Sequence, residues 1–259
     1  MFKQKTNQKL KTESIVKAVT DQKPLVSIIT VVFNGKNTLE KTILSVINQN
    51  YQNIEYIIID GGSTDGTLEI IHKYEKEIDY WISEKDNGIY DAMNKGILAA
   101  NGKFVNFMNA GDYFFDNNII QKLPLTSLSK IIFGNIMYES GKVFKSTFDY
   151  RMYLKNTLHH QSAFYALDLL KQLGLFDTNF KILADYDMNF KVLKLGIKFE
   201  QVPFFISICS DYGVSDIPKI MNYNEEFIIR LKNNYFLGLL LGSYSYVRFI
   251  VKFFSRILL

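Results

Sequence analysis

The segment Leu25-Val26-Ser27-Ile28-Ile29-Thr30-Val31-Val32-Phe33 is β-branched and almost unbroken in its apolar character. Such a run offers water no polar face, so it predicts a strand covered on both sides, as inner strands of parallel α/β sheets are. The residues after it repeat the alternation such a sheet needs. Asn37, with Glu40 three residues later, predicts a capped helix through about Asn48. A second apolar strand runs from about Ile54 to Asp60, and Ser63, Thr64 and Asp65 offer caps for a helix through about Tyr74. Tyr80 to Ser83 reads as a short third strand. Glu84 to Ala100 begins as a turn and continues as a helix that Asn101-Gly102 stops, and the fourth strand ends at Asp112. Strand and helix in strict alternation imply a mainly parallel sheet with right-handed crossovers.

Two of these strands end in an acid. Asp60 is followed by the turn Gly61-Gly62-Ser63-Thr64-Asp65-Gly66, and Asp112 closes the run Phe104-Val105-Asn106-Phe107-Met108-Asn109-Ala110-Gly111. A carboxylate at the carboxyl edge of a parallel strand faces the crevice where open α/β sheets bind ligands, and can hold a divalent cation against a diphosphate. Two such strand ends predict a nucleotide site. Beyond Asp112 the pattern changes: Ile131 to Tyr138 and Lys142 to Phe148 alternate around Glu139-Ser140-Gly141 and predict an antiparallel pair at the sheet edge. Leu158-His159-His160-Gln161-Ser162 is a polar segment before a helix through Leu173. Ile182 to Gly196 starts another helix, with Met188, Val192 and Leu195 on one face and Asp185 in the first turn, where the helix dipole favours the ionised form.

With 47% hydrophobic and 22% charged residues, the 259-residue chain is globular and long enough for one large α/β domain plus an appendage. A formal charge of +4 does not call for a nucleic-acid partner. One cysteine, Cys209, excludes an internal disulfide framework and a cysteine-rich zinc site, and fits a reducing cytosol. Residues 1–24 are polar, carry six lysines and no apolar core, and read as a flexible or helical extension rather than a secretory signal. In the tail, Arg248, Lys252 and Arg256 recur every four residues on an otherwise apolar and aromatic stretch from Tyr235 to Leu259. That spacing predicts an amphipathic helix lying in a membrane surface, and its uncharged part is short of the ~20 residues a bilayer span needs. The structural alternative is a helix packed on its own domain or on a partner.

The ordered motifs Ser27-Ile-Ile-Thr-Val-Val-Phe-Asn34, Asp60-Gly-Gly-Ser-Thr-Asp-Gly-Thr67, His160-Gln161 and Ala184-Asp185-Tyr186-Asp187 resemble family 2 glycosyltransferases, in the branch found in bacterial exopolysaccharide and colanic-acid-type clusters. The likeness covers roughly Leu25 to Ser215. It implies a GT-A fold: an α/β domain over 25–215 with a mainly parallel central sheet flanked by helices and an antiparallel edge. The donor half would be 25–112 and the acceptor half 113–215, followed by a helical tail over 216–259. The resemblance implies a nucleotide site at Thr30, Phe33, Asp60 and Asp86. It implies a divalent cation, Mg²⁺ or Mn²⁺, at Asp112. The family's acid pair at the metal motif reads Asn109-Ala110-Gly111-Asp112 here, so one carboxylate remains. The family's Glu-Asp pair reads Ala184-Asp185, which makes Asp185 the general base of an inverting transfer, with His159 or His160 on the acceptor or phosphate side.

Each assignment has a structural rival. Asp60 can cap its own turn, Asp112 can open a turn, Asp185 can be a helix cap, and Asp187 competes with it. His160 is preferred to His159; Asp91 and Asn94 fit either surface or phosphate-side roles, and His72 a solvated helix position. The expected activity is transfer of a sugar from a nucleoside diphosphate, UDP favoured, to a hydroxyl of a lipid-linked bacterial glycan, by a cytoplasmic enzyme peripheral on the inner face of the membrane. The alternatives are a degenerate binding subunit, suggested by the missing acids, and a sugar nucleotidyltransferase, which the loop Phe33-Asn34-Gly35-Lys36 does not favour.

Overall fold

A computed structural model describes residues 23–211 and 220–257. The expected extension over 1–24 therefore lies outside the described residues except at its last two positions. The apolar run near the start becomes β1 (Val26–Val32), buried along its whole length. It pairs in parallel with β2 (Ile54–Asp60) on one side and β4 (Phe104–Phe107) on the other, and β3 (Tyr80–Ser83) adds in parallel to β2. Helices α1 (Leu39–Ile47), α2 (Thr67–Lys73) and α3 (Ile89–Ala99) make the crossovers. Because β2 and β4 flank β1, the order of strands reverses at β1. The crevice outside their carboxyl ends is where such sheets bind ligands.

The structure differs from expectation at four points. β6 (Ile131–Tyr138) lies inside the sheet, between β8 (Ala163–Ala166) and β9 (Phe199–Cys209), and its hairpin mate β7 (Val143–Phe144) is only two residues long. The sheet thus runs β3-β2-β1-β4-β8-β6-β9-β5, ending at β5 (Tyr113–Phe114), with β4–β8 and β6–β8 antiparallel and β6–β9 parallel. Regular β4 stops at Phe107, although Met108 and Ala110 still donate to Ile29 and Val31, so the chain follows β1 to the motif around Asp112. The Asn37–Glu40 capping box does not form. Glu40 bonds Lys73 and Tyr74 of the neighbouring crossover instead, and Thr38 begins the helix.

Short helices α4 (Ile119–Lys122) and α5 (Leu167–Gln172) precede α6 (Ala184–Lys194), whose buried face packs on the acceptor half. The tail is an antiparallel pair, α7 (Ile220–Asn233) and α8 (Tyr235–Ile257). Close approach is possible because Gly238 and Gly242 face Leu231 and Phe227, where a Cβ would come within 2.7 and 2.8 Å. At the seam Arg230, fully buried, pairs with Glu226 at 2.8 Å, and Arg248 meets the same carboxylate at 2.6 Å. Arg248 is thus turned onto its own domain rather than toward a lipid phosphate; the side chains of Lys252 and Arg256 lie outside the described residues. Among the described residues nothing covers the other face of α8: Phe236, Leu239, Leu240, Val247, Ile250 and Val251 are exposed. No helix among the described residues is long and apolar enough to cross a membrane.

Candidate active site

The donor-side wall is built by two laced loops. Asn34 takes a positive φ of 52° after β1, which turns its amide N–H onto Ser63 Oγ at 2.7 Å while its Oδ1 accepts from Thr64 N at 3.0 Å. Gly35 N and Lys36 N donate across the same gap to Thr67 Oγ1 and Asp65 Oδ2. Asp60 organises the turn from beneath. Its carboxylate is buried and accepts from Gly62 N, Ser63 N, Ser63 Oγ and Ser83 Oγ, so four donors replace the water it loses. Phe33, 64% exposed, stands at the mouth of the crevice. Asp86 folds over Gly61 so closely that a Cβ there would lie 2.4 Å from its Oδ2. Thr30 is different: fully buried in the sheet, it donates to Met108 O at 2.8 Å and lies 3.1 Å from Tyr56 Oη. It braces the chain leading to Asp112 and does not face the crevice.

The two candidate reaction carboxylates are held by consecutive residues. A single 3₁₀ turn, His160–Ser162, directs Gln161 Nε2 to Asp112 Oδ2 at 2.9 Å and brings His160 Nδ1 to 3.4 Å from Asp185 Oδ2. Asp112 also accepts from Ser210 N at 3.3 Å; burial pushes its carboxyl above the ordinary range, with the Gln161 bond and the His160 charge opposing. Asp185, in the first turn of α6, receives Tyr90 Oη at 3.1 Å and Asn156 Nδ2 at 3.1 Å as well. Burial raises its pKa, but the bond to His160, the charges of His160 and His159 and the Tyr90 hydroxyl outweigh it and leave Asp185 below the ordinary carboxylate value. His160 Nε2 lies 2.8 Å from Asn109 Nδ2.

Asp187, the rival of Asp185, faces the opposite way. It is buried against Lys191 and Lys232 and accepts from Asn233 Nδ2, so it fastens α6 to α7. His159 lies edge-on to Phe144 at 4.4 Å. Asn94 clasps both backbone groups of Phe176 and is structural, Asp91 accepts from Asn87 N at the start of α3, and half-exposed His72 sits edge-on to Trp81. Sequence reading did not assign Tyr90, Asn156, Asn109 or Gln161. The last two sit inside motifs it quoted, while Tyr90 and Asn156 carry no local signal. A cavity of about 530 Å³, lined by Lys103, Leu128, Lys130 and Lys171 among others, opens at the amino end of β4, the end remote from Asp112.

Does Asp112 suit a divalent cation? Among the described residues no three His, Cys, Asp or Glu side chains converge on one point. Yet Asn109 Oδ1 and Gln161 Oε1, on residues that adjoin Asp112, are buried and meet no donor. One carboxylate with two free amide oxygens is an all-oxygen donor set, the chemistry that Mg²⁺ and Mn²⁺ take. The residues fit such an ion.

Sheet order, the crevice at β1 and acids at the ends of β2 and beyond β4 define a GT-A-type α/β domain. Solved structures share that fold: Staphylococcus aureus TarS 1–349 in complex with UDP-GlcNAc (TM-score 0.63, 18% identity, 89% of this chain and 73% of that one) and the mannosyltransferase PcManGT from Pyrobaculum calidifontis with GDP-Man and Mn²⁺ (TM-score 0.60, 15% identity, 96% and 85%). The chain spans 65% of the TarS 1–349 chain solved with UDP and 44% of the longer TarS chain. It is 32% identical over 197 residues to an uncharacterized glycosyltransferase of Mycobacterium tuberculosis, covering 72% of this chain and 74% of the relative. It is 28% identical over 177 residues to the PGL/p-HBAD biosynthesis glycosyltransferase of Mycobacterium bovis, covering 65% and 69%. Residues 27–188 match the family model for glycosyl transferase family 2, and the chain belongs to that family.

Proposed function

We propose that the chain transfers a sugar, with inversion, from a nucleoside-diphosphate donor to a hydroxyl of a lipid-linked bacterial glycan at the inner membrane surface. The observation that carries this reading is the His160-Gln161 turn, which ties Asp185 and Asp112 to one rigid element. Asp185 is ionised, sits at a helix start and is held by three side chains, as a base needs to be when it takes the proton of an attacking hydroxyl. The acceptor oxygen forms its bond to the anomeric carbon as the bond to the diphosphate breaks, and the nucleoside diphosphate leaves. Asp112, with Asn109 and Gln161, would hold Mg²⁺ or Mn²⁺. When bound, such an ion offsets the charge that develops on the leaving diphosphate.

On the donor side, Phe33 offers an aromatic face for the base, and Asp86 and the turn around Asp60 offer acceptors and backbone donors for base and ribose. Thr30 serves this site from behind by fixing Met108. His159 and His160 lie on the acceptor side. A UDP sugar is the favoured donor; the known neighbours were solved with UDP-GlcNAc and with GDP-Man. The bare apolar face of α8 supports association with a membrane surface, where a polyprenyl-linked acceptor and an exopolysaccharide product would be handled.

Calorimetric titration with UDP, GDP and dTDP, with and without Mn²⁺, tests the donor site. Tighter binding of one nucleotide with Mn²⁺, lost in Asp112→Asn, supports it. No binding of any would favour the degenerate subunit, a reading that Asn109, Gly111 and Ala184 at acid positions keep open. Release of pyrophosphate instead of nucleoside diphosphate would favour a nucleotidyltransferase.

A further inference from the structure

We infer that Glu225, on α7 and beyond the segment that matches the family model, is a positioning residue for Asp185. The inference rests on Asp185 being the base. The Glu225 side chain is buried, and its two oxygens accept three consecutive backbone amides: Lys181 N at 2.7 Å, Ile182 N at 3.0 Å and Leu183 N at 2.9 Å. These are the three residues that lead into α6. Leu183, the residue at the helix start, has no side chain able to cap, and no local cap forms. The entry to the helix that bears Asp185 is therefore set by a carboxylate that arrives from another helix, and its charge also favours the amino end of α6.

The hold reaches Asp185 by a short path. Ile182, gripped through its N–H, accepts from Tyr90 Oη at 2.7 Å through its carbonyl, and the same hydroxyl lies 3.1 Å from Asp185 Oδ1. Release of the loop would free Tyr90 and let the first turn of α6 rotate. The same helix pair controls the other flank. Arg230 and Arg248 both donate to Leu154 O, two residues before the Asn156 that donates to Asp185 Oδ2. Both segments that frame the base thus end on α7 and α8, outside the Asp60–Asp185 motifs, and Glu225 is the member that touches the segment joined to Asp185.

The test uses the full chain with Glu225→Gln, Glu225→Asp and Asp185→Asn. The measurement is release of nucleoside diphosphate from a panel of UDP-, GDP- and dTDP-sugars as the sugar passes to water, with donor KM and kcat read separately. Glutamine turns an NH₂ toward donors, and aspartate keeps the charge but falls one methylene short. The expected result is a kcat reduced about tenfold to a hundredfold in Glu225→Gln, with donor KM unchanged, since small displacements of a reacting group cost that much. Glu225→Asp should recover part of the loss at an unaltered melting temperature. If Asp185→Asn is inactive while Glu225→Gln turns over within twofold of the parent, the Glu225 inference is overturned and the base assignment stands. If Asp185→Asn keeps its turnover, or the parent turns over no donor, the base assignment falls and takes the inference with it. Failure of both Glu225 variants to fold would make the residue a support of the fold alone and overturn the inference as well.

Discussion

His160 Nδ1 lies 3.4 Å from Asp185 Oδ2, and this contact is what turns a buried carboxylate that should be hard to ionise into one held below its ordinary pKa. His160→Gln removes the ring while leaving Gln161 on Asp112. Burial then acts unopposed by the imidazole, so the Asp185 pKa rises and the acid limb of the kcat–pH profile moves to higher pH. The sign for stability is the same. A depressed native pKa adds stability above the ordinary carboxylate value and loses it as pH falls through the native value. The variant should therefore melt lower than the parent at neutral pH, with the gap closing below the ordinary carboxylate range. An unmoved acid limb would separate His160 from Asp185.

Asp185→Asn keeps the bulk, and its amide oxygen can still accept from Tyr90, but its NH₂ then faces the Asn156 NH₂ and the proton acceptor is gone. Turnover should fall by about a thousandfold, within the range general base catalysis supplies, with nucleotide affinity unchanged. Asp187→Asn should act on the fold instead, because Asp187 ties Lys191, Lys232 and Asn233. Stopped assays beside calorimetry distinguish the two: equal losses of kcat in both variants at equal melting temperature would refute the assignment.

Gly61→Ala probes the donor wall. The new Cβ would stand 2.4 Å from Asp86 Oδ2, so that carboxylate must swing aside, while the side-chain end can move without disturbing the sheet. Nucleotide affinity should drop roughly tenfold, the scale of one polar contact to a charged group, with little change in melting temperature. Unchanged affinity would remove Asp86 from the nucleotide site.

Thr30→Val asks whether Thr30 touches ligand or only the sheet. The hydroxyl gives its hydrogen bond to Met108 O inside the core, so valine leaves that carbonyl unpaired and should cost about 2 kcal/mol in denaturant unfolding. Nucleotide affinity should stay as it is. A loss of affinity at full stability would return Thr30 to the base-framing role that the resemblance implies.

What could be read in advance follows from how local each signal is. β1 and β2 are legible because they are buried on both faces and therefore apolar throughout, and Asp60 follows from where β2 stops, whereas Asp112 lies past the end of regular β4 on chain that still follows β1. β9 is not, since Glu200, Gln201 and Pro203 interrupt its pattern and its pairing with β6 shifts register near Asn135. Asn37 and Glu40 have the spacing of a capping box, but Lys73 and Tyr74 compete for Glu40 and win. The polar network is the least legible part. Glu225 acts on amides 42 to 44 residues earlier, a relation that no periodicity carries.

The apolar face of α8 gives the last test. Phe236, Leu239, Leu240, Val247, Ile250 and Val251 recur at helical spacing on one side, and Leu240 is 77% exposed. The opposite side is spent on α7 through Gly238, Gly242 and Ser245, so among the described residues nothing covers them. On the proposed membrane-surface reading this face would lie in the headgroup boundary of a bilayer, where each buried large side chain would add about 2 kcal/mol to the binding. Leu240→Asp with Val247→Asp should abolish co-sedimentation with anionic phospholipid vesicles. Release of nucleoside diphosphate from a soluble donor should persist in the same variant, because neither residue touches the crevice. Vesicle binding that survives the double substitution would assign the face to a protein partner or a second copy, and analytical ultracentrifugation of the parent chain would tell those two apart.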